Sequence, residues 1–332
     1  MLSRLATAVD RSEAPAPPTS APVGRYPRRV GRIEAVRRNG TEEAAGIAAL
    51  VSSAAEARGH LPIDADTWRE LVAERPSGRA AFLVRAPGAT AVVGYAQLDG
   101  APDAWRLAYV LDPEAEDGLA IGRELCRAAL GVVAANGGGP VRCWVPLPSA
   151  TDDEIATAVG MDRERDLHQM RRPLPVEPDP SPPIATRAFR VGLDEPALLA
   201  LNNRAFAGHP EQGAWSTGTL LKAERESWFD PGGLLVHESD GVMLAFCWTK
   251  VHLGEPPVGE IWVLGVEPDA QHRGIGEAML RAGLVSLQSR GLRTAMLYVD
   301  AGNLRAVKLY RDAGFGVDHD DRAYLVRIEP AR

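Results

Sequence analysis

Between Pro173 and Pro183 the chain reads Pro-Leu-Pro-Val-Glu-Pro-Asp-Pro-Ser-Pro-Pro. Each proline removes a backbone donor and fixes φ, so neither a helix interior nor a central strand can run through this stretch. It predicts an interdomain linker over residues 173–183, and in a chain of 332 residues it falls where length alone would set a boundary. The same order of elements can be traced on both sides of it. A fold-sized internal repeat of that kind governs every later inference.

In the second half, 184–329, Ala185–Arg190 reads as a short strand, and Asp194–Phe206 and Thr217–Glu226 read as helices. Leu234–Glu238 and Val242–Val251, joined at Ser239-Asp240-Gly241, form an antiparallel hairpin pattern. Gly259–Val266 alternates at its start between Pro257 and Pro268, which predicts another strand. A glycine-rich turn then opens a helix with Leu280, Leu284 and Leu287 at helical spacing, closed by Arg290-Gly291. Thr294–Val299 is a strand, Asn303 caps a helix that Gly314 stops, and Ala323–Ile328 is the last strand. The first half, 31–172, repeats the plan more weakly: helix Glu42–Glu56, strands Ala80–Val84, Thr90–Leu98 and Trp105–Leu111, helix Gly122–Ala135, strands Val141–Val145 and Leu167–Arg171. The expected class is α/β, two tandem domains of one type, each a mixed, mostly antiparallel sheet flanked by helices.

The formal net charge of −7 argues against a binder of phosphate backbones, so nucleic acid is not an expected partner. No run approaches the ~18 to 20 apolar residues that a membrane helix needs. Cys126, Cys143 and Cys247 show no CxxC or Cys/His spacing, which predicts no metal site, no disulfide framework and a reducing compartment. Residues 1–30 carry Pro15, Pro17, Pro18, Pro22 and Pro27 without the apolar core of a signal peptide; they are expected to be a disordered leader on a cytoplasmic protein. A monomer acting on small molecules is the expectation.

The segment with most chemical content follows the strand ending at Val266: Gln271-His272-Arg273-Gly274-Ile275-Gly276-Glu277. Backbone N–H groups at a helix start, with glycines allowing close approach and Arg273 adding charge, suit a pyrophosphate. A dinucleotide site would want a third glycine and a βαβ unit, whereas the preceding strands look antiparallel.

This turn resembles that of the GCN5-related N-acetyltransferase (GNAT) family, Q/R-x-x-G-x-G/A. Asn303-Leu-Arg305-Ala-Val-Lys308-Leu-Tyr310-Arg-Asp-Ala-Gly314-Phe315 is similar to its later signature, N-x-x-A-x-x-L-Y-x-x-x-G-F. The resemblance implies two tandem GNAT-type acyl-CoA N-acyltransferase domains. It also implies acetyl-CoA as cosubstrate, held by Leu264, Gly265, Val266, the run Gln271 to Glu277, Asn303, Arg305 and Lys308. The second half further resembles the tandem branch of the family that acetylates the cysteinyl amine of a cysteine-glucosamine-inositol pseudodisaccharide thiol. The stretches concerned are Asn202–Trp215, Trp228–Pro231, Trp248–His252, Gly259–Val266 and Leu297–Asp300.

Attack on a thioester needs a neutral amine, a place for oxyanion charge and a proton for the thiolate. Glu260, on the strand beside the turn, fits a general base acting through water, and Tyr310 a proton donor; the resemblance implies both roles. Deprotonating an α-amino group at pH 7 costs only ~1 kcal/mol, against roughly 4 to 5 for a lysine side chain, so a carboxylate is a sufficient base. Gly265 is expected to permit a local irregularity that frees an N–H of Leu264, Gly265 or Val266 for the oxyanion. Cys247, in an apolar run, reads as a core residue.

For the acceptor, the resemblance implies Glu211, Lys250, Glu260 and Tyr298. The first half departs from the pattern: its turn, Asp112-Pro-Glu114-Ala-Glu116-Asp117-Gly118, surrounds the phosphate position with acids, so catalysis is not expected there. In the family that half supplies a glutamate to the acceptor; here Ala65 stands at the place, and whether Asp64 or Asp66 substitutes is open. Two alternatives stay open as well: another small amine or a peptide N-terminus as acceptor, and a non-catalytic acyl-CoA-binding module.

Overall fold

The computed structural model describes residues 33–36, 41–63, 80–101, 104–177, 183–208, 212–254 and 256–331. The expected leader and residues 178–182 of the linker lie outside them, as do Asp64, Asp66 and Glu211. The chain forms two compact units. One runs up to Leu167 and takes in the chain again from Asp320; the other is His168–His319.

In the first unit β1 (Ile33–Val36), β2 (Ala80–Arg85), β3 (Val92–Ala101) and β4 (Ala104–Leu111) pair antiparallel in sequence order. β4 then runs parallel to β5 (Gly139–Pro146) over three rungs, Trp105↔Val141 to Leu107↔Cys143. Alternation puts Leu83, Tyr95 and Val110 under helix α1 (Thr41–Arg58), and Val84, Leu98 and Leu107 under α2 (Gly118–Ala135) and α3 (Ala150–Ala158).

In the second unit β7 (Arg187–Ala188), β8 (Leu234–Ser239), β9 (Val242–His252) and β10 (Val258–Val266) are antiparallel neighbours, and β10 is parallel to β11 (Thr294–Asp300). Helix α6 (Ile275–Ser289) lays Met279, Leu280, Gly283, Leu284 and Leu287 on one face of this sheet. Full burial of each leucine contributes about 1.5–3 kcal/mol. Helices α4 (Glu195–Ala205) and α5 (Thr217–Glu224) cover the other face with Leu198, Leu201 and Leu220. Helix α7 (Leu304–Asp312) follows β11.

Several expectations need correction. The strand predicted over Ala185–Arg190 is confined to Arg187–Ala188, and the helix expected from Gly122 starts at Gly118. Helix α3 was not expected at all; a capping box of Ser149 and Asp152 starts it. The strands expected at Leu167–Arg171 and Ala323–Ile328 are much longer, β6 (Asp162–Pro173) and β12 (Gly316–Ile328). Their charged residues masked the strand pattern, because ion pairs absorb them: Arg142 with Glu164 at 2.5 Å and Arg322 with Asp166 at 2.6 Å.

These two strands also explain why the units do not follow the expected halves 31–172 and 184–329. Asp321 to Ile328 of β12 pair antiparallel with Pro146 to Gly139 of β5, so the chain's last residues complete the first unit. From His168 on, β6 belongs with β11 in the second unit. The expected linker is accordingly not free at its start: Leu174 donates its N–H to the Arg293 carbonyl at 2.8 Å and buries its side chain beside Met170. No helix among the described residues is long and apolar enough to cross a membrane.

Candidate active site

The register of β10 fixes which side chains share a face. Glu260 lies opposite Lys250 of β9 and Met296 of β11, so Glu260, Lys250, His252, Met296 and Tyr298 all project to the α4/α5 side of the sheet. Glu260 is only 1% exposed, His252 4% and Lys250 6%. Burying a carboxylate so deeply requires partners. His252 supplies one, with Nε2 at 2.7 Å from Glu260 Oε2. The Lys250 ammonium stands 4.7 Å from the Trp228 ring centroid, a cation–π contact. The Tyr298 hydroxyl receives a hydrogen bond from the Gln169 amide of β6, whose carbonyl oxygen accepts from Arg171 Nε at 2.8 Å.

Beyond Glu260 the wall is aromatic. Trp248 and Trp262 meet edge to face at 4.6 Å, and Trp215, Trp228 and Phe229 pack around them. Asn203 of α4 fixes Trp215 by a double contact, its amide donating to the Trp215 carbonyl at 2.9 Å and its oxygen accepting the Trp215 N–H at 3.0 Å. Among the described residues, the buried indole N–H groups of Trp215, Trp248 and Trp262 have no acceptor.

The irregularity expected at Gly265 is elsewhere. Gly265 pairs in register with Phe246, and the register shifts between Ile261 and Val263, so Trp262 is the extra residue of a β-bulge. Gly265 has a packing reason instead: an added Cβ would lie 2.4 Å from Phe246 Cε1. The ladder from β10 to β11 ends at Glu260↔Met296, so Leu264, Gly265 and Val266 lie on an edge past the last rung, where the two parallel strands part.

The turn after β10 leads directly into α6. Gly274 is the N-cap, at φ 78°, a left-handed conformation that favours glycine. His272 also adopts a positive φ, 63°, which costs a non-glycine residue of order 1 kcal/mol. No side chain among the described residues caps α6, and its first intrahelical bond runs from the Ala278 N–H to the Gly274 carbonyl. The N–H groups of Ile275, Gly276 and Glu277 therefore face outward without an intrahelical acceptor. Gln271 is braced at its Oε1 by Arg305 Nη1, 2.7 Å away, and Arg273 donates to the Asp269 carbonyl at 3.0 Å.

On α7, Asn303 is occupied as the N-cap, accepting the Ala306 N–H at 3.1 Å, and Lys308 pairs with Asp312 at 2.5 Å on the exposed face. Tyr310 faces inward against Phe315, with ring centroids 6.1 Å apart. Burial pushes its phenol well above the ordinary tyrosine range, with a smaller contribution from the nearby Cys247 thiol. Cys247 is fully buried, and burial pushes its own thiol up to about 12, so it is a protonated core group rather than a nucleophile.

The first unit places different chemistry at the matching positions. Counting back from Leu111 and Val266, and allowing for the bulge, Arg106 stands where the second unit has Glu260, with Asp99 opposite it where Lys250 stands. Counting along α3 from the caps Ser149 and Asn303, Ala156 takes the place of Tyr310. The Tyr109 hydroxyl reaches across to Asp152 Oδ1 at 2.7 Å, tying β4 to α3.

Sequence reasoning quoted His252 only as part of a stretch. Its alternation with Lys250 on β9 was the available signal that it shares the face of Glu260. Gln169 gave none, because its contact with Tyr298 of β11 is long-range.

Sheet topology, parted parallel strands and uncapped helix start together define a GNAT-type N-acetyltransferase. Residues 197–315 match the Acetyltransferase (GNAT) family. The fold agrees with a GCN5-related N-acetyltransferase of Sphaerobacter thermophilus, at a TM-score of 0.70 and 24% identity over 92% of this chain and 98% of that one. A tandem GNAT protein of the clavulanic acid biosynthesis pathway gives 0.63 at 17% identity over 91% and 99%. Among sequence relatives, the mycothiol acetyltransferase of Thermobispora bispora is 41% identical over 86% of this chain and 95% of its own length. That of Streptomyces coelicolor is 37% identical over 90% and 96%. The chain belongs to the mycothiol acetyltransferase family.

Proposed function

We propose that the chain transfers acetyl from acetyl-CoA to the cysteinyl amine of cysteine-glucosamine-inositol, giving mycothiol, and that the second unit carries the chemistry. The observation that carries this reading is the placement of Glu260: buried, hydrogen-bonded, and on the last rung before β10 and β11 part. The outward N–H groups of Ile275, Gly276 and Glu277, with Arg273, suit the coenzyme diphosphate. The open edge of β10 offers Leu264, Gly265 and Val266 to the amides and thioester of the pantetheine arm. An amine on the Lys250/Tyr298 face then lies beside Glu260. The buried indole N–H groups that find no acceptor among the described residues support a hydroxyl-rich acceptor on that face.

In the reaction the amine nitrogen attacks the thioester carbonyl while its proton passes to Glu260, through water. Backbone N–H groups past the bulge stabilise the oxyanion. The C–S bond breaks, and the departing thiolate takes its proton from Tyr310, which recovers one from solvent. No residue is acylated. Nothing comparable is proposed for the first unit, where acids flank the start of α2 and Arg106 and Ala156 replace the base and the acid.

The test is release of free coenzyme thiol with cysteine-glucosamine-inositol, set beside a panel of simple amines and peptide N-termini. The pseudodisaccharide should give the highest kcat/KM, and Glu260→Gln should lower kcat by about 10²- to 10⁴-fold. Equal turnover of simple amines, or wild-type turnover in the variant, would overturn the reading.

A further inference from the structure

His252 has no assigned role, yet among the described residues its ring makes the side-chain hydrogen bond to the carboxylate of Glu260. A ring nitrogen 2.7 Å from a carboxylate oxygen needs a proton between them, and an ionised carboxylate has none to give. The ring proton therefore sits on Nε2, donating to Oε2. The other nitrogen, Nδ1, is buried with no partner among the described residues, so a bare lone pair there is less costly than a second N–H without an acceptor. We infer that His252 is a positioning residue for the transfer reaction: its Nε2–H engages Oε2 and leaves Oε1 as the oxygen presented to the amine or its water.

The surroundings favour this division of labour. β9 presents Lys250 as well as His252, and β11 presents Tyr298, already engaged by Gln169. On α4 the cation Arg204 is committed to Glu267. The helix on the opposite face, α6, packs Met279, Leu280, Leu284 and Leu287 against the sheet. A carboxylate held by one oxygen on one strand loses the rotation that would otherwise cost side-chain entropy at each turnover. His252 sits two residues beyond Lys250, so one strand carries both the group that orients the carboxylate and the lysine paired opposite Glu260.

The inference rests on Glu260 being the base, and the experiment keeps the two apart. His252→Leu, His252→Gln and Glu260→Gln are made in the full chain, with Leu and Gln at 252 also combined with Glu260→Gln. Acetyl-CoA affinity is followed by indole fluorescence, and kcat and KM are measured on cysteine-glucosamine-inositol. His252→Leu should lower kcat about 10- to 100-fold at unchanged acetyl-CoA affinity. His252→Gln, whose amide can donate from the same place, should recover most of that loss. In the Glu260→Gln background neither change should lower kcat further. ¹⁵N resonances of the folded wild type should show Nε2 protonated and Nδ1 bare, a readout that needs no variant to fold. Equal losses in Leu and Gln, additive losses with Glu260→Gln, or a proton on Nδ1 would overturn the inference. Full activity in Glu260→Gln alone would instead overturn the assignment of the base.

Discussion

Tyr310 shows what a single half-buried side chain contributes. Because burial raises its phenol above the usual range, the proton is retained through neutral and mildly alkaline pH, and the group can give it to a thiolate there. Ionisation of Tyr310 should therefore cause no loss of kcat between pH 7 and 9. Tyr310→Phe, which keeps the ring against Phe315, should lower kcat roughly 10²-fold at unchanged acetyl-CoA affinity. Steady-state assays across that pH range check both. Glu260, Gln271 and Gly274 stand out as candidates in the sequence because strand end, turn and helix start are contiguous there, and Tyr310 stands out through the later signature that the chain shares with the family. His252 and Gln169 act through strands distant in sequence, so their contacts left no local mark. Asn303 was read as both cap and coenzyme ligand, and the structure records it as the cap.

At the scale of the element, a turn and an ion cluster separate activity from stability. Gly274 needs its positive φ, and an added Cβ would meet nothing within 4 Å. Gly274→Ala should thus cost about 1 kcal/mol through backbone strain alone and raise KM for acetyl-CoA through the displaced N–H groups. Gly265→Ala should cost more, about 1–3 kcal/mol, because its Cβ meets the Phe246 ring; thermal melts rank the two. Elsewhere Asp153 of α3 is gripped from β6 and β12. Burial pushes its carboxyl up, but hydrogen bonds from Arg163, Tyr324 and Arg322 outweigh that and hold it at about 2. A carboxyl depressed on folding stabilises above its unfolded value and loses that contribution as pH falls through the folded one. The melting temperature of the wild type should fall between pH 4 and pH 2, and that of Asp153→Asn, lower at pH 7, should fall less over the same window.

For the whole molecule, duplication was readable because proline punctuation and repeated element order are local features. Membership of the last strand was not, since Asp321 finds Pro146 across most of the chain's length and charged residues dilute the strand pattern. That pairing makes a short C-terminal deletion act far from the cut in sequence. Removing residues 320–332 takes away the antiparallel partner of β5 from Gly139 to Pro146, together with Tyr324, which packs in the core under α2. It also removes Arg322, whose guanidinium holds Asp153 and Asp166. The exposed β5 edge would lose its ladder hydrogen bonds and part of its apolar cover. Hydrogen exchange should then show β5 and α3 losing protection, while β9, β10 and α6, none of whose pairing partners lies in the deleted segment, keep theirs. Unchanged protection of β5 in the deletion variant would contradict the assignment of this strand to the first unit.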